Sequence, residues 1–265
     1  MKRVRLLIHG VLGRMGQEVL RAVYRDPELE VVGGVDIKAG PKELVSPDGL
    51  RSVPFSSDLE SVIVGLHPDV MVDFTNAEAT MPAVRTAAKH DVALVIGTTG
   101  LSATDLSEIE SLCRTKKLGA VVAPNFAIAA VVMMHLAKIS ARLFDYAEIV
   151  ELHHEQKLDA PSGTALATAR DMVEARGRDF AHVFAQKESV RGSRGAEYRG
   201  ISLHSVRMPG LLAHQEIILG APGQTLRIRL DQISREAFMP GVILAIKKAA
   251  ELKEAVFGLD KLLGL

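Results

Sequence analysis

Val4-Arg5-Leu6-Leu7-Ile8-His9-Gly10-Val11-Leu12-Gly13-Arg14-Met15-Gly16 reads as a short apolar strand, a glycine turn and the start of a helix. The spacing is G-x-x-G-x-x-G rather than the commoner G-x-G-x-x-G, but the physics is shared. Glycine permits the tight turn, lets the backbone approach a pyrophosphate and lets the helix pack on the strand. The helix N-terminus then offers N–H groups and a favourable field to an anion. Asp36 closes the next apolar run, 20 residues after Gly16. From there an acidic side chain accepts hydrogen bonds from an adenosine ribose. Strand, glycine turn, helix and acid in this register predict a dinucleotide site. Asp36 would repel a 2′-phosphate, which favours NADH, while nearby Lys38 offers compensation that keeps NADPH open.

Outward from this loop the first half alternates. Apolar runs of strand length recur at Val4–His9, 31–35, 70–74, Ala93–Ile96 and 120–123. Helical spacing separates several of them: Met15, Val19, Ala22 and Val23; Met81, Val84 and Ala88; Leu106, Ile109 and Leu112. Short continuous apolar strands alternating with amphipathic helices predict a parallel sheet covered on both faces. Each run stops in small or polar residues, among them Asp36, Thr75-Asn76, Gly97-Thr98-Thr99-Gly100 and Pro124-Asn125. Ligands bind at the carboxyl ends of such strands, so these turns are expected to line one crevice. Residues 39–54, with three prolines and two glycines, read as a loop interrupting the rhythm.

After Phe126 the rhythm changes. Residues 128–143 read as a helix, 147–152 as a strand and 164–174 as a helix, followed by a polar stretch at 176–199. Strands at 201–206, 216–219 and 225–230 then follow without intervening helices, which predicts an antiparallel or mixed sheet in a second domain. Residues 240–253 return to helix, with Pro240 in the first turn.

Composition narrows the class. The chain has 265 residues, 48% apolar and 24% charged, with 32 basic against 32 acidic side chains. Balanced charge argues against a nucleic-acid binder. No run of about 18 apolar residues exists, so a transmembrane helix is not expected. The basic N-terminus runs straight into the glycine loop with no small-residue cleavage site, so a signal peptide is not expected either. A single cysteine, Cys113, rules out an intrachain disulfide and a Cys-rich metal site; on its amphipathic helix it reads as core. The expected location is the cytoplasm.

The most informative chemistry is Glu151-Leu152-His153-His154-Glu155-Gln156-Lys157-Leu158-Asp159-Ala160-Pro161-Ser162-Gly163-Thr164-Ala165. A strand delivers two histidines and a lysine into a loop that turns into a helix, with Ser162 or Thr164 available as cap. A helix start suits an incoming carboxylate, and histidine and lysine add exchangeable protons. The pattern reads as a site where a small anionic substrate undergoes proton transfer. A zinc site from His153, His154 and Glu155 fits poorly, because neighbours on a strand point to opposite faces, and no metal is expected. His9, His67, His90, His135 and His182 read as structural or surface residues.

At these residues the chain resembles the 4-hydroxy-tetrahydrodipicolinate reductase (dihydrodipicolinate reductase) family. The matching segments span nearly the whole chain: 10–16, 73–75, 97–100, 123–126, 151–165 and His-Ser-Val-Arg-x-Pro-Gly at 204–210. The resemblance implies an α/β fold. A Rossmann-like parallel-sheet domain (1–127 and 236–265) would carry an inserted α+β substrate and oligomerisation domain with a mixed sheet (128–235). It implies NADH and/or NADPH as cofactor, held by Gly10, Val11, Leu12, Gly13, Arg14 and Met15 at the phosphates and Asp36 at the ribose. Gly97, Thr98, Thr99, Ala123, Pro124, Asn125 and Phe126 would lie on the nicotinamide side. His153 matches the proton donor/acceptor and Lys157 the second proton donor, while His154, Gly163 and Thr164 match substrate contacts. The implied reaction, in lysine and diaminopimelate biosynthesis, reduces 4-hydroxy-tetrahydrodipicolinate to tetrahydrodipicolinate by hydride delivery to C4. The implied assembly is a homotetramer acting on a small cyclic dicarboxylate, with no nucleic-acid or membrane partner.

Departures from the family pattern bear on detail. Many relatives place arginine after the ribose acid, where this chain has Ile37; this leans toward NADH or dual use. Ala129 replaces a glycine after the 123–126 segment, and Leu230 stands where several relatives carry histidine. The alternatives are another NAD(P)-dependent imino- or amino-acid oxidoreductase on the same scaffold, and a dinucleotide sensor without turnover. The sensor would have little need for His153, His154 and Lys157 together.

Overall fold

The computed structural model describes residues 3–38, 43–49 and 52–265. The chain divides into two compact units, Met1–Ile128 with Arg235–Leu265, and Ala129–Ser234.

The strands of the first unit are β1 (Val4–His9), β2 (Leu29–Val35), β3 (Glu43–Val45), β4 (Ser52–Ser56), β5 (Val70–Asp73), β6 (Ala93–Ile96), β7 (Ala120–Val122) and β13 (Ala255–Phe257). They form one sheet in the order β13-β7-β6-β5-β1-β2-β4-β3. Every pairing is parallel except β3 with β4. Leu6, Leu7 and Ile8 of β1 are fully buried, as expected for a strand covered on both faces. Helices α2 (Leu59–Leu66), α3 (Ala77–Lys89) and α4 (Ala103–Lys116) close one face through Ile63, Val84 and Ile109. Cys113 lies in the same core, where burial pushes its thiol up to about 11. Helices α1 (Arg14–Tyr24) and α7 (Met239–Ala249) pack together, with α7 against β6 and β7. The C-terminal helix thus completes the first unit. A short α8 (Leu259–Leu263) follows β13.

Several short elements differ from the sequence expectation. The 39–54 loop contains, within its described part, the hairpin strands β3 and β4, with Pro54 opposite Glu43. β3 is the edge strand, and Pro54 precedes the part of β4 that pairs with β2, so its missing N–H is not needed there; pairing with β2 at Gly34↔Phe55 supplies what local propensity does not. Residues 39–42, 50 and 51 lie outside the described residues. β13 and α2 also had no prediction; β13 is three residues long and exists through its pairing with β7.

The second unit holds β8 (Tyr146–His153), β9 (Ala196–Tyr198), β10 (Ile201–Arg207), β11 (Ala213–Ala221) and β12 (Gln224–Gln232) in the order β12-β11-β8-β10-β9. β8 and β10 are parallel and the other pairs antiparallel, so the sheet is mixed. Helices α5 (Ile128–Ser140) and α6 (Gly163–Arg176) cover one face through Met133, Ala137, Ala169 and Met172, packed on Ile149, Ile201 and Ile217. Along β8, Ala147, Ile149 and Glu151 are buried in alternation, and His153 follows on the same face. Among the described residues no helix is long and apolar enough to cross a membrane.

Gly16 fixes how α1 sits on β1. A Cβ there would lie 2.3 Å from the Gly10 carbonyl oxygen and 2.7 Å from the Val11 Cα. Gly16→Ala is therefore expected to destabilise the first unit by about 2–3 kcal/mol, the cost of overpacking against backbone. Urea unfolding of the purified variant tests this, and a loss below about 0.5 kcal/mol would contradict it.

Candidate active site

The dinucleotide side is built at the carboxyl edge of the first unit's sheet. Gly10 has φ +82°, and its N–H donates to the Val35 carbonyl at 2.8 Å, so the chain turns sharply out of β1. The Gly13 N–H closes the turn on the Gly10 carbonyl at 3.0 Å. Gly13 is also the N-cap of α1, with no side-chain cap and no acid in the first turn, where Arg14 and Met15 lie. The helix start is thus neither capped nor neutralised by the chain itself, which fits an anionic pyrophosphate. Val11 is fully buried, so it offers backbone rather than side chain to a ligand.

Asp36 follows β2 and is largely buried. Its carboxylate accepts the Leu12 N–H and the Lys38 N–H, each at 3.0 Å. Both bonds aim the acid across the loop and leave lone pairs for ribose hydroxyls. A cleft of about 210 Å³ is lined by His9, Gly10, Gly13, Asp36, Ile37 and Phe74 among others. Ile37 is 81% exposed there. These residues fit a nicotinamide dinucleotide.

The other crevice turns are tied to a buried acid that sequence reading did not select. Asp73 ends β5 and is fully buried. One carboxylate oxygen contacts His9 Nδ1 at 2.8 Å and accepts the Thr75 hydroxyl at 2.7 Å. The other accepts the hydroxyls of Thr80 at 2.5 Å and Thr98 at 3.0 Å. Burial raises the Asp73 carboxyl, but its bonds to His9, Thr80 and Thr75 outweigh this and hold it below the usual range. Thr98 in turn accepts the Thr75 N–H at 3.0 Å. Gly97 packs beneath the Phe74 ring, and Thr99 is exposed. Ala123 donates to the Ile96 carbonyl at 3.1 Å, and Asn125 accepts the Ala127 N–H at 2.9 Å. Exposed Pro124 precedes buried Phe126, which meets Phe74 edge-on with ring centroids 5.9 Å apart. An acid closing an otherwise apolar strand was the available signal for Asp73. Its partner His9 lies 64 residues away in the chain.

The segment from Glu151 to Thr164 belongs to the second unit. His153 is the last residue of β8, and its Nδ1 lies 2.5 Å from a Glu151 carboxylate oxygen. Glu151 is 1% exposed and is held by Arg207 through two bonds of 2.9 and 2.7 Å, and by the Ser162 N–H at 3.3 Å. Burial raises the Glu151 carboxyl, but hydrogen bonds from Arg207, Ser205 and His153 prevail and hold it below its ordinary range. Burial pushes His153 below its ordinary value and Glu151 pulls it back, with Lys157 and Arg207 adding repulsion; the net direction is down. At neutral pH the ring is therefore neutral.

His154 leaves the strand half-buried, and its carbonyl accepts the Lys157 N–H at 3.2 Å in a turn. The Lys157 ammonium donates to Asp159 at 2.7 Å, and its bond, with that of the Gly163 amide, keeps the Asp159 carboxyl low. Ser162 caps α6 by accepting the Ala165 N–H at 3.1 Å, so of the two candidate caps it takes the role. Gly163 and Thr164 form the first turn, which carries no acidic residue. Glu151 and Arg207, 56 residues apart, had no local signal. Among the described residues no cluster of His, Cys, Asp and Glu could hold a metal ion.

Comparison with known proteins agrees with both units. The family profile described as "Dihydrodipicolinate reductase, N-terminus" matches residues 4–126, and "Dihydrodipicolinate reductase, C-terminus" matches 129–263. A 4-hydroxy-tetrahydrodipicolinate reductase from Dehalococcoides mccartyi is 54% identical over 265 residues, covering 100% of both chains. One from Moorella thermoacetica is 48% identical over 262 residues and 98% of each. The solved structure of dipicolinate-bound dihydrodipicolinate reductase from Paenisporosarcina sp. TG-14 superposes with a TM-score of 0.87 at 41% identity, over 98% of this chain and 99% of that one. The chain belongs to the dihydrodipicolinate reductase family, the NAD(P)H-dependent oxidoreductases of lysine and diaminopimelate biosynthesis.

Proposed function

We propose that the chain reduces 4-hydroxy-tetrahydrodipicolinate to tetrahydrodipicolinate with Lys157 and His153 as its acid–base pair. When bound, the reduced nicotinamide supplies the hydride delivered to C4, so that hydride and one proton enter and water leaves. The observation that carries the acid–base assignment is the contrast at the end of β8. His153 is neutral at neutral pH, with its Nδ1 against Glu151, and four residues later Lys157 presents an ammonium held by Asp159. An imidazole held at Nδ1 by a carboxylate and an amine four residues on supply an acceptor and a donor. The Lys157 ammonium supplies the net proton as electron density moves to the ring nitrogen. His153 takes up and returns a proton within the cycle, its imidazolium stabilised by Glu151. His154, after β8, and Gly163 and Thr164, at the start of α6, are assigned to the substrate carboxylates, the last two supported by the acid-free first turn.

On the cofactor side, Gly10 to Met15 are assigned to the phosphates and Asp36 to the ribose. Gly97, Thr98, Thr99 and Ala123 to Phe126 are assigned to the nicotinamide side. We assign residues 1–127 and 236–265 to dinucleotide binding, and 128–235 to substrate binding and oligomerisation. The exchange of arginine for Ile37 favours NADH. A homotetramer is supported by the second sheet: α5 and α6 cover one face, while Val150, Leu152, Val206 and Ile218 on the other are only half-buried. A cytoplasmic location suits a small-molecule biosynthetic role of this kind.

The direct test is oxidation of NADH and NADPH with substrate generated in place from pyruvate and aspartate semialdehyde. Turnover establishes the reaction; cofactor binding without turnover would sink the substrate assignment and turn attention to other cyclic imines. In the same assay NADH is expected to give the higher kcat/KM, and Asp36→Asn, which removes charge but keeps an acceptor, should raise the relative efficiency of NADPH about tenfold, or about 1.4 kcal/mol. An unchanged ratio would remove Asp36 from cofactor choice. Lys157→Ala is expected to lose about 2–4 kcal/mol of transition-state stabilisation. The wild-type kcat/KM should fall as pH drops through a value below about 6.5, because protonation removes His153 as acceptor. Near wild-type efficiency in the lysine variant, or an acid side that stays flat, would contradict the pair.

A further inference from the structure

We propose that Glu151 is a positioning residue for the reaction: held ionised by Arg207, it fixes the Nδ1–H tautomer of His153 and makes Nε2 the atom that exchanges the proton. The proposal rests on His153 as a proton-handling group and adds what sets that group's form.

The placement follows from strand geometry. Glu151 and His153 share the buried face of β8, two residues apart, and Arg207 lies beside His153 in the parallel register of β10. A carboxylate with 1% exposure is costly unless fully partnered. Arg207 supplies a two-pronged contact, one N–H to each oxygen at 2.9 and 2.7 Å, and the Ser162 N–H adds a third donor. An ionised carboxylate only accepts hydrogen bonds. The 2.5 Å contact to His153 Nδ1 therefore requires a proton on that nitrogen, which leaves Nε2 with the lone pair.

The same carboxylate ties down the loop that carries Lys157. One oxygen receives the Ser162 N–H at the α6 end, and Arg207, while holding Glu151, also donates to the Asp159 carbonyl at 2.7 Å. Charged groups around the ring are Glu151 on its own strand, Lys157 and Asp159 in the following loop, and Arg207 on β10; the β11 neighbour, Ala213, brings none. Removing the Glu151 charge leaves only cations near the imidazolium other than the Lys157-paired Asp159.

The test uses the full chain with Glu151→Gln, His153→Gln and the double variant. E151Q is expected to lower kcat by about 10–100-fold, the range for groups that orient a reacting ligand from behind, with KM for the reduced nucleotide within about twofold. Its acid limb should move to lower pH. In the H153Q background the same change should cost no more than about threefold, because the effect passes through His153. Nitrogen-15 NMR of histidine-labelled wild type, assigned with H153Q, should find the Nδ1–H tautomer; this measurement decides the proposal even if E151Q does not fold. Wild-type kcat and acid limb in E151Q, an equal penalty with and without His153, or an Nε2–H tautomer would each overturn it. Wild-type activity in H153Q would overturn the proton-handling reading as well, whereas an impaired H153Q beside an unaffected E151Q would overturn the positioning role alone.

Discussion

Asp73 has no solvent exposure, and a charge there is tolerable because His9 and the hydroxyls of Thr75, Thr80 and Thr98 converge on it. Those partners come from the end of β1, the turn after β5, the first turn of α3 and the turn after β6. To satisfy one carboxylate, three adjacent strands must end at matched heights with their turns facing the same acid. The crevice edge is thus fixed by hydrogen-bond demand as well as by packing. The glycine loop hangs from this frame, since Gly10 follows His9 directly and its carbonyl lies against α1 at Gly16.

The second unit repeats the device with a different outcome. Glu151 also ends a buried strand face and also meets a histidine Nδ1, but Arg207 supplies the compensating charge. The histidine side chains differ in access, 8% exposed for His9 and 15% for His153. Both histidines close interior strands; what differs is that Asp73 also gathers the hydroxyls of Thr75, Thr80 and Thr98, whereas His153 stands at the start of the loop bearing Lys157. One carboxylate–imidazole pair locks turns together; the other fixes a ring at a strand end beside the loop that leads into α6.

What the sequence made legible follows from range. The glycine turn, Asp36 and the His153 to Thr164 segment are local arrangements, each expressed within a few residues of backbone, and spacing alone reveals them. The mixed second sheet was legible too, because strands without intervening helices leave few options. The edge hairpin of β3 and β4, and β13, depend on partners contributed by distant strands. The same holds for Asp73 with His9 and for Glu151 with Arg207, separated by 64 and 56 residues. Periodicity carries no information about such pairs. Ser162 and Thr164 were equally good caps by chemistry, and only the backbone at the start of α6 decides for Ser162.

Placement also separates the charges that matter from those that do not. Arg85–Glu108 and Arg229–Asp231 are well-formed ion pairs on open surface, where water screens them and little stability results. Glu151–Arg207 is a buried pair of the kind that a hydrophobic pair of the same volume often replaces at no cost in stability. Stability alone therefore gives no reason for a carboxylate there. A hydrophobic residue at 151 could not pair with His153 Nδ1 or receive the Ser162 N–H. The interaction is intelligible as a constraint on one imidazole and one loop.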